Sequence, residues 1–200
     1  MTNAKLQLSD ILDLREYERG RDSQRERIVG LKARRRVHLG TIISLVFENR
    51  DTMLFQVHEM ARAEKIVTDA ALQVELDVYN PLIPERGQLS ATLFVECTDD
   101  DQLRYWLPRL VGIETSIELH LGEGAGVVVI PSVPEPDHAA QLTRDEITAA
   151  VHYVGFVVGV EHAEALRAGP ARLVITHPNY LEETELGAAT RAELATDVAG

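Results

Sequence analysis

Cysteine is nearly absent: Cys97 stands alone among 200 residues. That excludes an internal disulfide, a thiolate zinc site and a protein-held iron–sulfur cluster, all of which need several sulfurs. Aromatic residues are scarce at 5%, with a single tryptophan. No apolar run approaches the length of a membrane span, and residues 1–12, MTNAKLQLSDIL, contain no stretch of signal-peptide character. The expectation is a cytoplasmic protein in a reducing compartment. Catalytic motifs are missing too, with no Gly-x-Ser-x-Gly nucleophile elbow and no zinc-binding His-Glu-x-x-His helix. Cys97 precedes Thr98-Asp99-Asp100-Asp101, an acidic run that disfavours its thiolate.

What is present is charge, unevenly placed. The net charge is -12, yet residues 1–50 carry 11 Lys and Arg against 7 Asp and Glu, while the remainder carries 9 against 25. An acidic body argues against a nucleic-acid binder, whereas the basic end suits an acidic surface, including that of a second copy in a homo-oligomer. At 45% apolar content the chain can bury a core as one domain over residues 1–180, with a helical portion at 1–36. Residues 181–200 show no convincing core face and read as a loosely held or disordered tail.

The organising stretch is 46–84. Asn49, Asp51 and Thr52 are helix-capping types, and Leu54, Val57, Met60 and Ala61 follow at helical spacing. Gln56, Glu59 and Arg62 form a polar stripe on the same helix. Thr68 and Asp69 cap a second helix through Leu72, Leu76 and Tyr79, which Pro81 ends. Before this stretch, Ser9 caps a helix over 10–19 and, beyond Gly20, Asp22 or Ser23 caps another reaching Arg36. Residues 37–48 read as one strand and 89–97 as another, with Ser90, Thr92, Phe94 and Glu96 on a wetter face.

Asp99 opens a helix that closes at Gly112. Strands at 115–121 and 127–130 flank a Gly-rich turn; a phosphate loop would require a helix after those glycines, so a hairpin is expected. Pro131, Pro134 and Pro136 stiffen a loop holding a solvated His138. Strand 148–158, helix 161–168 and strand 171–176 complete the chain. The order of elements predicts an α+β fold, N-terminal helices packed on a mainly antiparallel sheet of five or six strands.

Two histidines share the apolar side of their strands: His152 with Val154 and Phe156, His177 with Leu173 and Ile175. Both are expected to point inward. With carboxylates from Glu48, Glu59 or Glu64, or Glu96, they compose a candidate iron, manganese or zinc site. His58 is a poor ligand, because Arg62 lies one turn away on its face. Arg34, Arg35 and Arg36 end a helix where cations suit its dipole, and they are also candidates for contacting a partner or RNA.

Several motifs in order resemble a known family: Arg34-Arg35-Arg36, Phe47-Glu48-Asn49-Arg50, Gln56 with Glu59-Met60, Arg62-Ala63-Glu64, Glu75-Leu76, Tyr79-Asn80-Pro81-Leu82-Ile83-Pro84, Leu110-Val111-Gly112-Ile113, Val151-His152 and His177-Pro178-Asn179-Tyr180. From Leu6 to Tyr180 the chain is similar to an uncharacterised bacterial domain-of-unknown-function family. That resemblance implies no activity. It implies genes encoded beside rubrerythrin-like and iron–sulfur, heterodisulfide-reductase-like proteins, hence an accessory partner in a redox or oxidative-stress system. It also implies Gln where this chain has His58. A metal-binding protein or metal-dependent enzyme is the alternative reading.

Overall fold

The computed structural model describes residues 4–136 and 146–200. His138 lies outside them. The fold is α+β, with helices at the N-terminal end and, among the described residues, two antiparallel sheets rather than the one expected. A 3-10 turn, Leu8–Asp10, leads into helix α1, Leu14–Arg35. Asp13 caps α1 by accepting from the amides of Arg15 and Glu16. The two helices expected on either side of Gly20 are thus one. Gly20 costs a helix interior only about 1 kcal/mol, and α1 recovers it by burying Tyr17, Ile28, Leu31 and Arg35.

The single strand expected over 37–48 is a hairpin of β1, Arg36–Leu39, and β2, Ile43–Glu48, paired His38 to Ser44. Its turn uses Gly40 at a φ of 66°, where a Cβ would collide with the Tyr180 hydroxyl. Helix α2, Arg50–Glu64, starts at an Asn49–Thr52 capping box. Helix α3, Asp69–Tyr79, is capped by Thr68 and followed by a 3-10 turn through Pro81. Strand β3, Gln88–Val95, and helix α4, Asp100–Trp106, come next. Then follow β4, Ile117–Leu121, β5, Val128–Pro131, and β6, Val133–Pro134. β4 and β5 are antiparallel neighbours, so the Gly-rich segment connects a hairpin. Strand β7, Val151–Val157, helix α5, Ala163–Ala168, and strand β8, Ala171–His177, precede β9, Tyr180–Glu185, and helix α6, Ala188–Ala199.

The first sheet runs β1-β2-β3-β7-β6 and the second β5-β4-β8-β9. Period-two alternation gives the first sheet two different faces. Leu45, Phe47, Leu89, Ala91, Leu93, Val154 and Phe156 meet Leu119, Leu173 and Ile175 of the second sheet in one core. Toward the helices a smaller core forms from Leu6, Met53, Val57, Leu76, Leu82 and Ile83.

The loosely held tail expected beyond Tyr180 is corrected. β9 pairs with β8 along its length, and α6 buries Leu194, Ala195, Asp197 and Val198. The apolar residues of α6 recur too sparsely to announce a core face, because part of what α6 buries is a charge. The Tyr180 hydroxyl donates to the Leu39 carbonyl at 2.9 Å and accepts from the Thr41 amide at 3.0 Å, linking β9 to the β1–β2 turn.

Candidate functional site

Glu48 ends β2 immediately before the Asn49 cap of α2. Register puts it opposite Ser90 and on the same face as Val46, which pairs with Thr92; Thr92 in turn pairs with Tyr153. This face of the sheet lies under the helices, where Lys32 of α1, Gln56 of α2 and Tyr79 at the end of α3 converge on it. With Glu48, Thr92 and Tyr153 these residues line a cavity of about 150 Å³. Met53, Leu82, Phe94 and Val151 supply its apolar wall.

Glu48 is only 2% exposed. Its Oε1 accepts from the Thr92 hydroxyl at 2.8 Å, while its Oε2 has no hydrogen-bond partner. The Lys32 ammonium stands 3.9 Å from Oε2, beyond hydrogen-bond reach, and Lys32 is 30% exposed at the rim. A buried acceptor left without a donor costs about 1–3 kcal/mol, and more when charged. Gln56 bonds the Tyr79 hydroxyl. Burial pushes both phenols above their ordinary pKa, with Glu75 and Glu64 adding to the rise at Tyr79, and Tyr79 and Glu48 to that at Tyr153. Both therefore stay protonated hydroxyls at neutral pH.

The sheet register separates the residues expected to share a metal. Glu48 faces the helical layer, whereas His152, paired with Leu93, faces the opposite side of the same sheet. His177 ends β8 in the second sheet. Both histidines point inward as expected, but each has its own partners: His152 Nε2 meets the Thr148 hydroxyl at 2.8 Å and the Ala149 carbonyl at 3.0 Å, and His177 Nε2 meets the Val111 carbonyl at 3.0 Å. Glu59 is held by a bidentate Arg21 at 2.8 Å and by the Tyr17 hydroxyl at 2.7 Å. Glu64 is exposed at the end of α2. Among the described residues no three His, Cys, Asp or Glu side chains are arranged to hold a metal ion.

The arginines proposed for partner contact are engaged inside the chain. Arg34 pairs with Glu193 at 2.8 Å. Arg35, fully buried, donates to the carbonyls of Phe47 at 2.8 Å and Glu48 at 3.2 Å and to the Asp197 carboxylate. Arg36 reaches Ser44 and Glu96 and sits 5.3 Å from the centre of the Phe94 ring. Arg27 with Asp51 further offsets the basic excess of the first 50 residues. Arg35 presents no surface to a partner; instead it fixes the backbone that carries Glu48.

His58 also has a structural task. Its Nε2 accepts the Leu12 amide at 3.0 Å and its ring stacks on Tyr17 at 4.6 Å. Burial lowers the pKa of His58 and of His152 below 6.5. Arg21, foremost, holds Glu59 at about 2, below its ordinary 4.5. All three folded-state values are depressed. The histidine contribution to stability is therefore complete above pH 6.5 and is lost as pH falls through their folded values, and that of Glu59 is complete above 4.5 and lost through about 2. Urea unfolding midpoints are expected to drop between about pH 7 and about pH 5. A His58→Gln variant, which keeps an acceptor for Leu12, should flatten part of that slope. An unchanged slope would remove His58 as a source.

Sequence reasoning named Glu48 as a site residue but not Lys32, Thr92 or Tyr153, and it read Gln56 as part of a polar stripe and Tyr79 as part of an apolar one. A signal was available: Ser44 and Glu48 share one face of their strand, and Ser90 and Thr92 share the wetter face of the next.

The fold and cavity define a class: an α+β protein with two antiparallel sheets and a buried carboxylate under its helices. The chain belongs to a family described as protein of unknown function (DUF3501), whose model matches residues 5–198. It is similar to a crystal structure of a novel protein of unknown function from Burkholderia pseudomallei K96243, at 33% identity and a TM-score of 0.88, covering 98% of this chain and 100% of that one. No curated protein matches.

Proposed function

We propose that this protein is a small-ligand-binding accessory protein, with the ligand held in the Glu48 cavity. The observation that carries this reading is Glu48 Oε2, a buried acceptor with no hydrogen-bond partner on a residue that lines a cavity walled by further hydroxyl and amide groups. A site with one carboxylate, two phenols and no second acid takes an organic donor better than iron, manganese or zinc, since the other expected ligands lie in other layers or at the surface. A bacterial redox or oxidative-stress system is the proposed setting, supported by the gene company that the family resemblance implies. A cytoplasmic site of action goes with it. Among the described residues no helix is long and apolar enough to cross a membrane.

The test is tyrosine-selective ¹³C NMR with a broad panel of small amines, carboxylic acids, amino acids, thiols and polyols. At least one class should shift the Tyr79 and Tyr153 signals in wild type and leave them unmoved in Glu48→Gln. Signals that no class moves would overturn ligand binding here.

A second reading concerns protein partners. Val74 and Val78 are exposed at i and i+4 on α3, and Val67, exposed by 78%, lies in the loop just before its Thr68 cap. This apolar face supports docking by a partner such as a rubrerythrin-like or iron–sulfur protein.

A further inference from the structure

The cavity's charges are more informative than its shape. Glu48 is an ionisable acceptor, 2% exposed, with Oε1 engaged by Thr92 and Oε2 without a hydrogen-bond partner. A donor that meets a carboxylate here is favoured if it is cationic, because charge-assisted hydrogen bonds are the stronger ones. A bare amine, however, would place its cation beside the Lys32 ammonium, which already stands 3.9 Å from the same oxygen. Two cations would then share one carboxylate in a site partly screened from water, where like charges repel more strongly than in bulk solvent. A ligand that brings its own anion restores the balance, with its ammonium on Glu48 and its negative group toward Lys32.

The remaining groups agree with that placement. The Tyr79 hydroxyl stays protonated, so it can donate to a carboxylate and does not repel it. The cavity of about 150 Å³ holds the liquid volume of roughly five waters. That accommodates a short side chain against Met53 and Leu82 and rejects an aromatic one. Resting on the ligand-binding reading above, we propose that the Glu48 cavity binds a small zwitterion of the amino-acid class, with its ammonium on Glu48 and its carboxylate toward Lys32.

The probes are L-alanine, ethylamine, propionate and L-phenylalanine, titrated by calorimetry with the tyrosine NMR signals as reporter of the site. Wild type should bind L-alanine at least about tenfold more tightly than any of the other three. Glu48→Gln, which preserves shape, should lose L-alanine binding while its circular dichroism stays native. Lys32→Met should reverse the preference, with ethylamine equalling or exceeding L-alanine, because the cation that excluded the bare amine is gone. That second variant keeps the assignment testable even if Glu48→Gln fails to fold.

Ethylamine binding wild type as tightly as L-alanine would overturn the zwitterion assignment while leaving a ligand site in place. So would a tyrosine response to thiols or polyols with none to L-alanine. Silence from every compound removes both the assignment and the site.

Discussion

Replacing Arg35 by alanine is expected to lower stability by about 3–5 kcal/mol, read as a fall in the urea midpoint or as a drop of roughly 6–20 °C in Tm at this chain length. The guanidinium is fully buried and bonds two β2 carbonyls and the carboxylate of Asp197, which is itself 3% exposed. Burial pushes the Asp197 carboxyl up, against the opposing pull of Arg35. The pair is therefore costly to bury and costlier to break, since either single truncation strands a charge in a dry interior. Asp197→Ala should cost a similar amount. The double variant Arg35→Met, Asp197→Leu should be more stable than the sum of the two single losses predicts, because no charge is left behind. Strict additivity would show that the two residues do not act as a pair. Because Arg35 also fixes the carbonyl of Glu48, Arg35→Ala should disturb the Tyr79 and Tyr153 NMR signals without touching the cavity directly.

Truncation after Leu186 is the second large effect, and it should abolish the native fold. Deleting α6 removes Leu194, Ala195 and Val198 from the inter-sheet core, with Leu194 and Val198 each worth about 1.5–3 kcal/mol when fully buried. It also removes Asp197 and Glu193 from Arg35, and the Val198 carbonyl that accepts the Gly87 amide at 3.0 Å. Together these losses approach the whole net stability of a typical domain, about 5–15 kcal/mol. The truncated chain should show a collapsed near-ultraviolet spectrum, no cooperative unfolding and poor solubility. A folded, cooperative 1–186 chain would show that α6 rests on the body without supporting it.

How far each feature could be read in advance follows from the range of the interaction behind it. The Asn49 cap, the Thr68 cap, the stop at Pro81 and the Gly-rich hairpin between β4 and β5 are decided by residues within a few positions of one another, and all four lie where local chemistry puts them. The merging of two expected helices into α1 is different. Gly20 locally favours a break, and burial of Tyr17, Ile28, Leu31 and Arg35 against distant elements outweighs it. The hairpin inside residues 37–48 was hidden for the converse reason. Its apolar run reads as one buried strand, and the turn at Gly40 is fixed by Tyr180, 140 positions away in the chain.

The candidate site divides in the same way. Inward-facing histidines at 152 and 177 follow from alternation along single strands, and both face the core. Whether they meet Glu48 depends on strand order and register, which alternation within one strand does not contain. The pairing of Leu93 with His152 and of Ser90 with Glu48 places imidazole and carboxylate on opposite faces of one sheet.

The sequence by itself determined the α+β class, the capped starts of α2 and α3, the stop at Pro81 and the apolar faces of β3, β7 and β8, because these rest on backbone conformation and on periodicities of 2 and 3.6. Only the tertiary structure decided that Glu48, Lys32, Gln56, Tyr79, Thr92 and Tyr153 share a cavity, and that the final 20 residues contribute Leu186, Leu194, Ala195 and Val198 to the core. Those outcomes rest on contacts between residues tens to more than a hundred positions apart, and chief among them is a buried Arg35–Asp197 pair whose members look, in sequence, like ordinary surface charges.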